Sequence, residues 1–166
     1  MGEAVPDEDS EVCGVCGLPW SEHTTDLQFG LPDEVLNRLD EVADADAWMS
    51  GITPSDSDLL RLPPFGAYIR ALLPVRVKGG GILTYGTWVK VEPGQFDQLR
   101  AVWPSAGYAA LRTNGTLANK LPFQHAIYAE VIVEVIDPDR KPVITSSSDS
   151  WTQELLGTEL PHSFLE

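Results

Sequence analysis

Cysteine and histidine are scarce in this chain of 166 residues, with two of the first and three of the second. Two cysteines cannot make a disulfide scaffold, and a chain this long buries enough surface to fold without one. Basic side chains are scarce as well: eleven Lys and Arg against 25 Asp and Glu, a formal net charge of -14. A phosphate backbone is bound by Lys and Arg that displace counterions, so nucleic acid is disfavoured as a partner, and so is an anionic membrane surface. No apolar run approaches the roughly 18 residues that span a bilayer. The acidic N-terminus is the reverse of a basic signal-peptide start. The expected location is the cytoplasm.

What is present is unevenly placed. Residues 1–58 hold fifteen acidic side chains and one basic one, Arg38, a net of -14. Residues 59–166 are balanced at ten of each. Hydrophobic residues make up 43% and there are five Trp, an ordinary globular composition. The expected organisation is an acidic, disordered tail over 1–11 and one domain over 12–166. Within that domain lie an acidic knuckle and helix segment (12–58), a sheet-rich body (59–145) and a C-terminal loop with a short helix (146–166).

Periodicity supplies the elements. Val35, Leu36, Leu39 and Val42 recur at helical spacing, which predicts a helix from Pro32 to Asp44. Leu59–Leu62 predicts a short strand. Tyr68–Val77 and Ile82–Val91, joined through Gly79-Gly80-Gly81, predict a β-hairpin. Pro93 opens a second helix that ends at Pro104. Asn114-Gly115 signals a turn. Ala126–Ile136 and Val143–Thr145 predict a second hairpin, and Trp151–Leu156 a short helix. Hairpins outnumber crossovers, so the expected fold is α+β. It would have a mainly antiparallel sheet of about four to six strands, two main helices and an N-terminal Cys-containing turn.

Candidate chemistry is sparse. Cys13-x-x-Cys16 can put two thiolates on one metal ion, and His23 could add a third ligand to a zinc site. A tetrahedral site needs a fourth, for which His125 and His162 are the remaining histidines. A redox dithiol and two inert thiols are the alternatives. There is no Gly-x-Ser-x-Gly elbow and no phosphate loop. Arg70, Trp88, Asn119 and His125 are versatile side chains that could line a binding cleft. Large aromatics usually fill cores, which is the competing reading of Trp88.

Four segments together resemble a bacterial family known only as domain of unknown function number 2199. They are Cys13-x-x-Cys16-Gly17 with a following His; Ser57-Asp58-Leu59 with Tyr68-Ile69-Arg70-Ala71; Tyr85-Gly86-x-Trp88-Val89; and Leu117-x-Asn119-x-Leu121-Pro122 with Arg140-x-Pro142-x-Ile144. The resemblance implies a compact α+β domain and carries no established activity. Here Ser148-Asp149-Ser150-Trp151 stands where relatives have a His-Pro-containing segment.

With no catalytic constellation recognised, the leading expectation is a binding or interaction protein. Its acidic N-terminal surface would meet a basic protein, as an inhibitor or immunity-type partner does. The alternatives are an enzyme with a cleft at Arg70, Trp88, Asn119 and His125, and a zinc- or redox-responsive protein acting through Cys13 and Cys16.

Overall fold

A computed structural model describes residues 26–36, 38–42, 47–79, 81–119, 129–157 and 159–160. Within them nine strands form one hydrogen-bonded sheet. They are β1 (Asp26–Gln28), β2 (Trp48–Met49), β3 (Leu59–Leu62), β4 (Gly66–Val77), β5 (Gly81–Val91), β6 (Arg112–Leu117), β7 (Glu130–Glu134), β8 (Val143–Ser147) and β9 (Glu159–Leu160). The helices are α1 (Pro93–Val102) and the shorter α2 (Ser150–Gly157).

The sheet closes on itself. β4 pairs with β5, β5 with β6, β6 with β7 and β7 with β8, all antiparallel, and β8 returns to β4. An up-and-down ring with an odd number of strands must close on a parallel pair, because its first and last strands run the same way. That seam is short: Leu72 pairs with Val143, and the Leu72 N–H donates to the Pro142 carbonyl at 2.8 Å. Further along β4, β9 takes over beside Arg76 and Val77.

The expectation of an α+β fold with two main helices and a mainly antiparallel sheet of about four to six strands is therefore corrected to a mostly-β chain built on a closed five-stranded barrel. The helix expected over 32–44 does not form. Residues 33–36 make a turn and Leu39–Glu41 a single 3-10 turn. A helix of that length is marginal in water by itself. Here the Asp33 N–H instead donates to the Ala118 carbonyl at 2.8 Å, which ties the segment to the barrel. The stripe is split as a result: Val35 is buried, while Leu36 and Leu39 are half exposed. The Cys-containing turn lies outside the described residues.

Other expectations hold. The long hairpin forms, with Val77 opposite Gly81. Strand β3 forms over the expected residues. Helix α1 starts at Pro93, and the Glu92 N–H donates to Gln95 Oε1 at 3.3 Å. Its Phe96 and Leu99 are buried. Asn114-Gly115 is not a turn. Both lie inside β6, where Gly115 opposes Val131. A Cβ on Gly115 would come 2.5 Å from the Lys90 carbonyl oxygen, so the glycine permits β6 to cross close against β5.

Around Tyr68–Arg70 and Gly86–Trp88 both faces of the β4–β5 ribbon are buried, and that positions the site. Ala67, Ile69, Ala71, Leu73, Val75 and Val77 point into the barrel from β4, and Leu83, Tyr85, Val89 and Val91 join them from β5. Side chains alternate along a strand, so Tyr68, Arg70 and Trp88 point outward. They are covered all the same. Tyr68 and Trp88 form a second core with Val35, Leu60, Leu62 and Ala118. The cover includes the acidic segment before β3.

Candidate functional site

Arg70 and Trp88 are cross-strand partners at one register position of the β4–β5 ribbon. Both are fully buried, and the guanidinium carbon sits 3.9 Å from the indole ring centroid. The guanidinium is held by main-chain oxygens. Nη1 donates to the carbonyls of Phe29 (2.5 Å) and Gly86 (3.1 Å). Nη2 lies 3.3 Å from the Pro54 carbonyl, with those of Ser55 and Ser57 at 3.5 Å. A cation on a π face surrounded by carbonyl dipoles is partly compensated for lost water. Burial still lowers its pKa to about 10, against the opposing pull of the Asp58 charge. Arg70 Nε and Trp88 Nε1 make no hydrogen bond to the described residues.

Asn119 completes this network from the chain after β6. Its side-chain oxygen accepts from the Trp88 N–H at 2.8 Å and from Thr87 Oγ1 at 3.2 Å. Its amide donates to the Leu31 carbonyl at 2.8 Å and to Asp33 Oδ1 at 3.0 Å. One side chain therefore makes four hydrogen bonds, its full common capacity. Glu34 adds a further tie: its Oε2 accepts from Tyr68 and from Lys90 Nζ, the latter at 3.0 Å.

Three of the four residues expected to line a cleft thus come together: Arg70, Trp88 and Asn119. They meet as an interior clasp joining the acidic segment to the barrel, with zero side-chain exposure. His125 lies outside the described residues, as do Cys13, Cys16, His23 and His162. Among the described residues no group of three or more His, Cys, Asp or Glu is placed to hold a metal ion.

The clasp shapes the surface above it. Phe29, Leu31, Leu36, Leu39 and Pro54 line a groove of about 300 Å³ on the acidic segment. Leu36 is 52% exposed and Leu39 50%. Asp33 also lines the groove, Asp40 and Glu41 follow Leu39, and Asp56 follows Ser55 at the opposite lip. The one basic side chain of this segment, Arg38, is bound to Glu41 at 3.0 Å. Sequence reasoning missed the groove because it assigned Leu36 and Leu39 to a helix stripe facing the core.

The family model for uncharacterized proteins conserved in bacteria, DUF2199, matches residues 12–154, and the chain belongs to that family. No curated protein and no solved structure matches it. No helix among the described residues is long and apolar enough to cross a membrane.

Proposed function

We propose that this is a cytoplasmic binding protein that engages a basic protein partner through the groove of its acidic segment, as an inhibitor or immunity-type protein would. The groove carries this reading: two half-exposed leucines sit among acidic side chains on a segment clasped to the closed barrel. Apolar anchors supply affinity at the centre of an interface, and a charged rim speeds encounter and selects the sign of the partner. Clasping the segment in place lowers the ordering cost of binding. Basic side chains elsewhere favour internal use. Arg61, Lys90 and Arg112 each hold a carboxylate at 2.9–3.0 Å, and Arg100 lies over Trp48 at 3.9 Å.

The test is cross-linking and capture from the source bacterium with the full-length protein, repeated with Leu36→Ser/Leu39→Ser and Asp40→Lys/Glu41→Lys. The reading expects one basic protein to be captured at low salt, released by raised salt, and lost with either double variant. A partner that is acidic, insensitive to salt or captured equally by both variants would overturn it.

A further inference from the structure

We propose a second site, a cleft at the parallel seam of the barrel that binds a free zwitterionic α-amino acid with an apolar side chain. The cleft has a volume of about 540 Å³ and is walled by Leu72, the β4 residue of the seam pair, and by the β7–β8 turn that leads into β8. Leu72, on the outward face of β4, lies in its wall. Trp103, at the end of α1, and Tyr108, in the 3-10 turn Ala106–Ala110, form an aromatic corner. Their ring centroids are 5.3 Å apart and the rings are tilted by 57°. Two carboxylates, Asp58 and Asp139, and two cations, Arg140 and Lys141, stand around the corner.

The ion pairs here are looser than the other four found among the described residues. Arg38, Arg61, Lys90 and Arg112 meet their carboxylates at 2.9–3.0 Å, within hydrogen-bond range. The two pairs at the cleft are looser: Lys141 Nζ is 3.7 Å from Asp58 Oδ1, and Arg140 Nε is 3.8 Å from Asp137 Oδ2. At those distances the attraction persists but no hydrogen bond is made. Donors of positive charge and acceptors of negative charge therefore stand side by side beside an aromatic wall. A carboxylate can take bonds from Lys141 and Arg140, an ammonium group can give them to Asp58, and an apolar side chain fits the Trp103–Tyr108 corner. A single-charge ligand satisfies half of this arrangement.

The arrangement is held in advance. Tyr108 Oη donates to the Arg140 carbonyl at 2.6 Å and so fixes the β7–β8 turn that carries Arg140 and Lys141. Burial, helped by the Asp58 charge, pushes the Tyr108 pKa up to about 12, so it remains a neutral donor at physiological pH. This site goes beyond the groove reading and does not depend on it.

The experiment is calorimetry and amide-shift mapping of the full-length protein with L-phenylalanine and L-leucine. N-acetyl-L-phenylalanine and L-phenylalaninamide serve as single-charge probes that imitate the two ends of a peptide. The proposal expects both amino acids to bind, with shifts at Leu72, Tyr108 and Lys141. It expects each single-charge probe to bind roughly tenfold or more weakly, as do the folded variants Asp58→Asn and Lys141→Gln with the amino acids. Absence of binding at millimolar concentration would overturn it. So would a blocked probe that binds equally well, which marks a peptide end as ligand, or binding that both variants leave unchanged.

Discussion

The Arg70 guanidinium stacks on the Trp88 indole at 3.9 Å with neither side chain exposed to solvent, and among the described residues no carboxylate forms a salt bridge with this cation. Its bonds run to carbonyls on the two stretches that cover the β4–β5 ribbon and on the ribbon itself. Replacing it with Met removes the fork and strands those oxygens. Arg70→Met is expected to cost about 3 kcal/mol, because buried polar groups left unpaired lose their full desolvation cost. Arg70→Lys should recover only part, since an ammonium cannot reproduce the planar fork. Urea denaturation gives the magnitude. Limited proteolysis should show new cleavage between residues 29 and 57; a variant that unfolds at the same urea concentration, with no new cleavage, contradicts this role.

Asn119 is the second half of the clasp. Asn119→Leu should cost roughly 2–4 kcal/mol, since the Trp88 N–H and the Leu31 carbonyl lose their partner inside the protein. Asn119→Asp is a sharper test. The new carboxylate would face Asp33, whose oxygen lies 3.0 Å from the present amide nitrogen. Burial and a like charge raise the folded pKa of such a group above its unfolded value. Its penalty is then absent below about pH 4 and grows as pH rises. The variant should approach the wild type in stability at pH 4 and fall well behind at pH 7 in urea titrations. A constant gap across that range would refute the assignment.

Gly115→Ala tests the close crossing of β6 over β5. The added methyl meets the Lys90 carbonyl at 2.5 Å and Val89 Cγ1 at 2.6 Å, and the first of these is main chain that cannot swing aside. A loss of roughly 1–3 kcal/mol is expected, the usual range for overpacking. Gly94→Ala is the control, because a Cβ there meets nothing within 4 Å. Equal melting temperatures for the two variants would show that the crossing is looser than described.

Tyr108 links stability to alkaline pH. Its folded pKa of about 12 lies above the ordinary value of 10.0. Between those two values the unfolded chain has released the phenolic proton while the folded chain retains it. Stability contributed by the phenol is therefore fully present below pH 10 and is lost as pH rises towards 12. Tyr108→Phe should reduce that slope, leaving the share of Tyr85, whose phenol is also pushed up by burial. Near neutral pH it should cost about 1 kcal/mol or less, for the lost bond to Arg140. Phenolate absorbance and denaturant midpoints across pH 9–12 measure both effects, and an unchanged slope in the Phe variant would exclude the assignment.

These residues also show which parts of the structure were legible in the sequence. The β4–β5 hairpin was readable because alternation and a glycine turn are local signals. Barrel closure was not, since pairing Leu72 with Val143 joins positions far apart in the chain and leaves no periodic trace. The 32–44 stripe carried a genuine helical period, yet hydrogen bonds to Ala118 and Asn119 outweighed a marginal local preference. Arg70, Trp88 and Asn119 come from the family-like segments expected to line a cleft, and they meet in an interior clasp. Their burial was hidden, because Arg alone gives no sign that carbonyls rather than solvent will surround it. Leu36 and Leu39 were assigned to the interior by the same helical stripe and emerged on the surface. The cleft residues Trp103, Tyr108 and Arg140 come from three separate elements, which only the closed ring brings together.

The seating of the acidic segment on the β4–β5 ribbon has a consequence in time. Residues 26–58 leave the ribosome before any strand of the barrel has been made, and their docking surfaces on β4, β5 and residues 118–119 arrive later. During that interval the segment has nothing to lie against, and its accumulated negative charge keeps it hydrated and apart from itself. Conversely, a barrel assembled without it would show water an indole, a phenol and a cation meant for the interior. The segment that precedes the barrel in synthesis can therefore be fastened only after residues 59–119 have followed it.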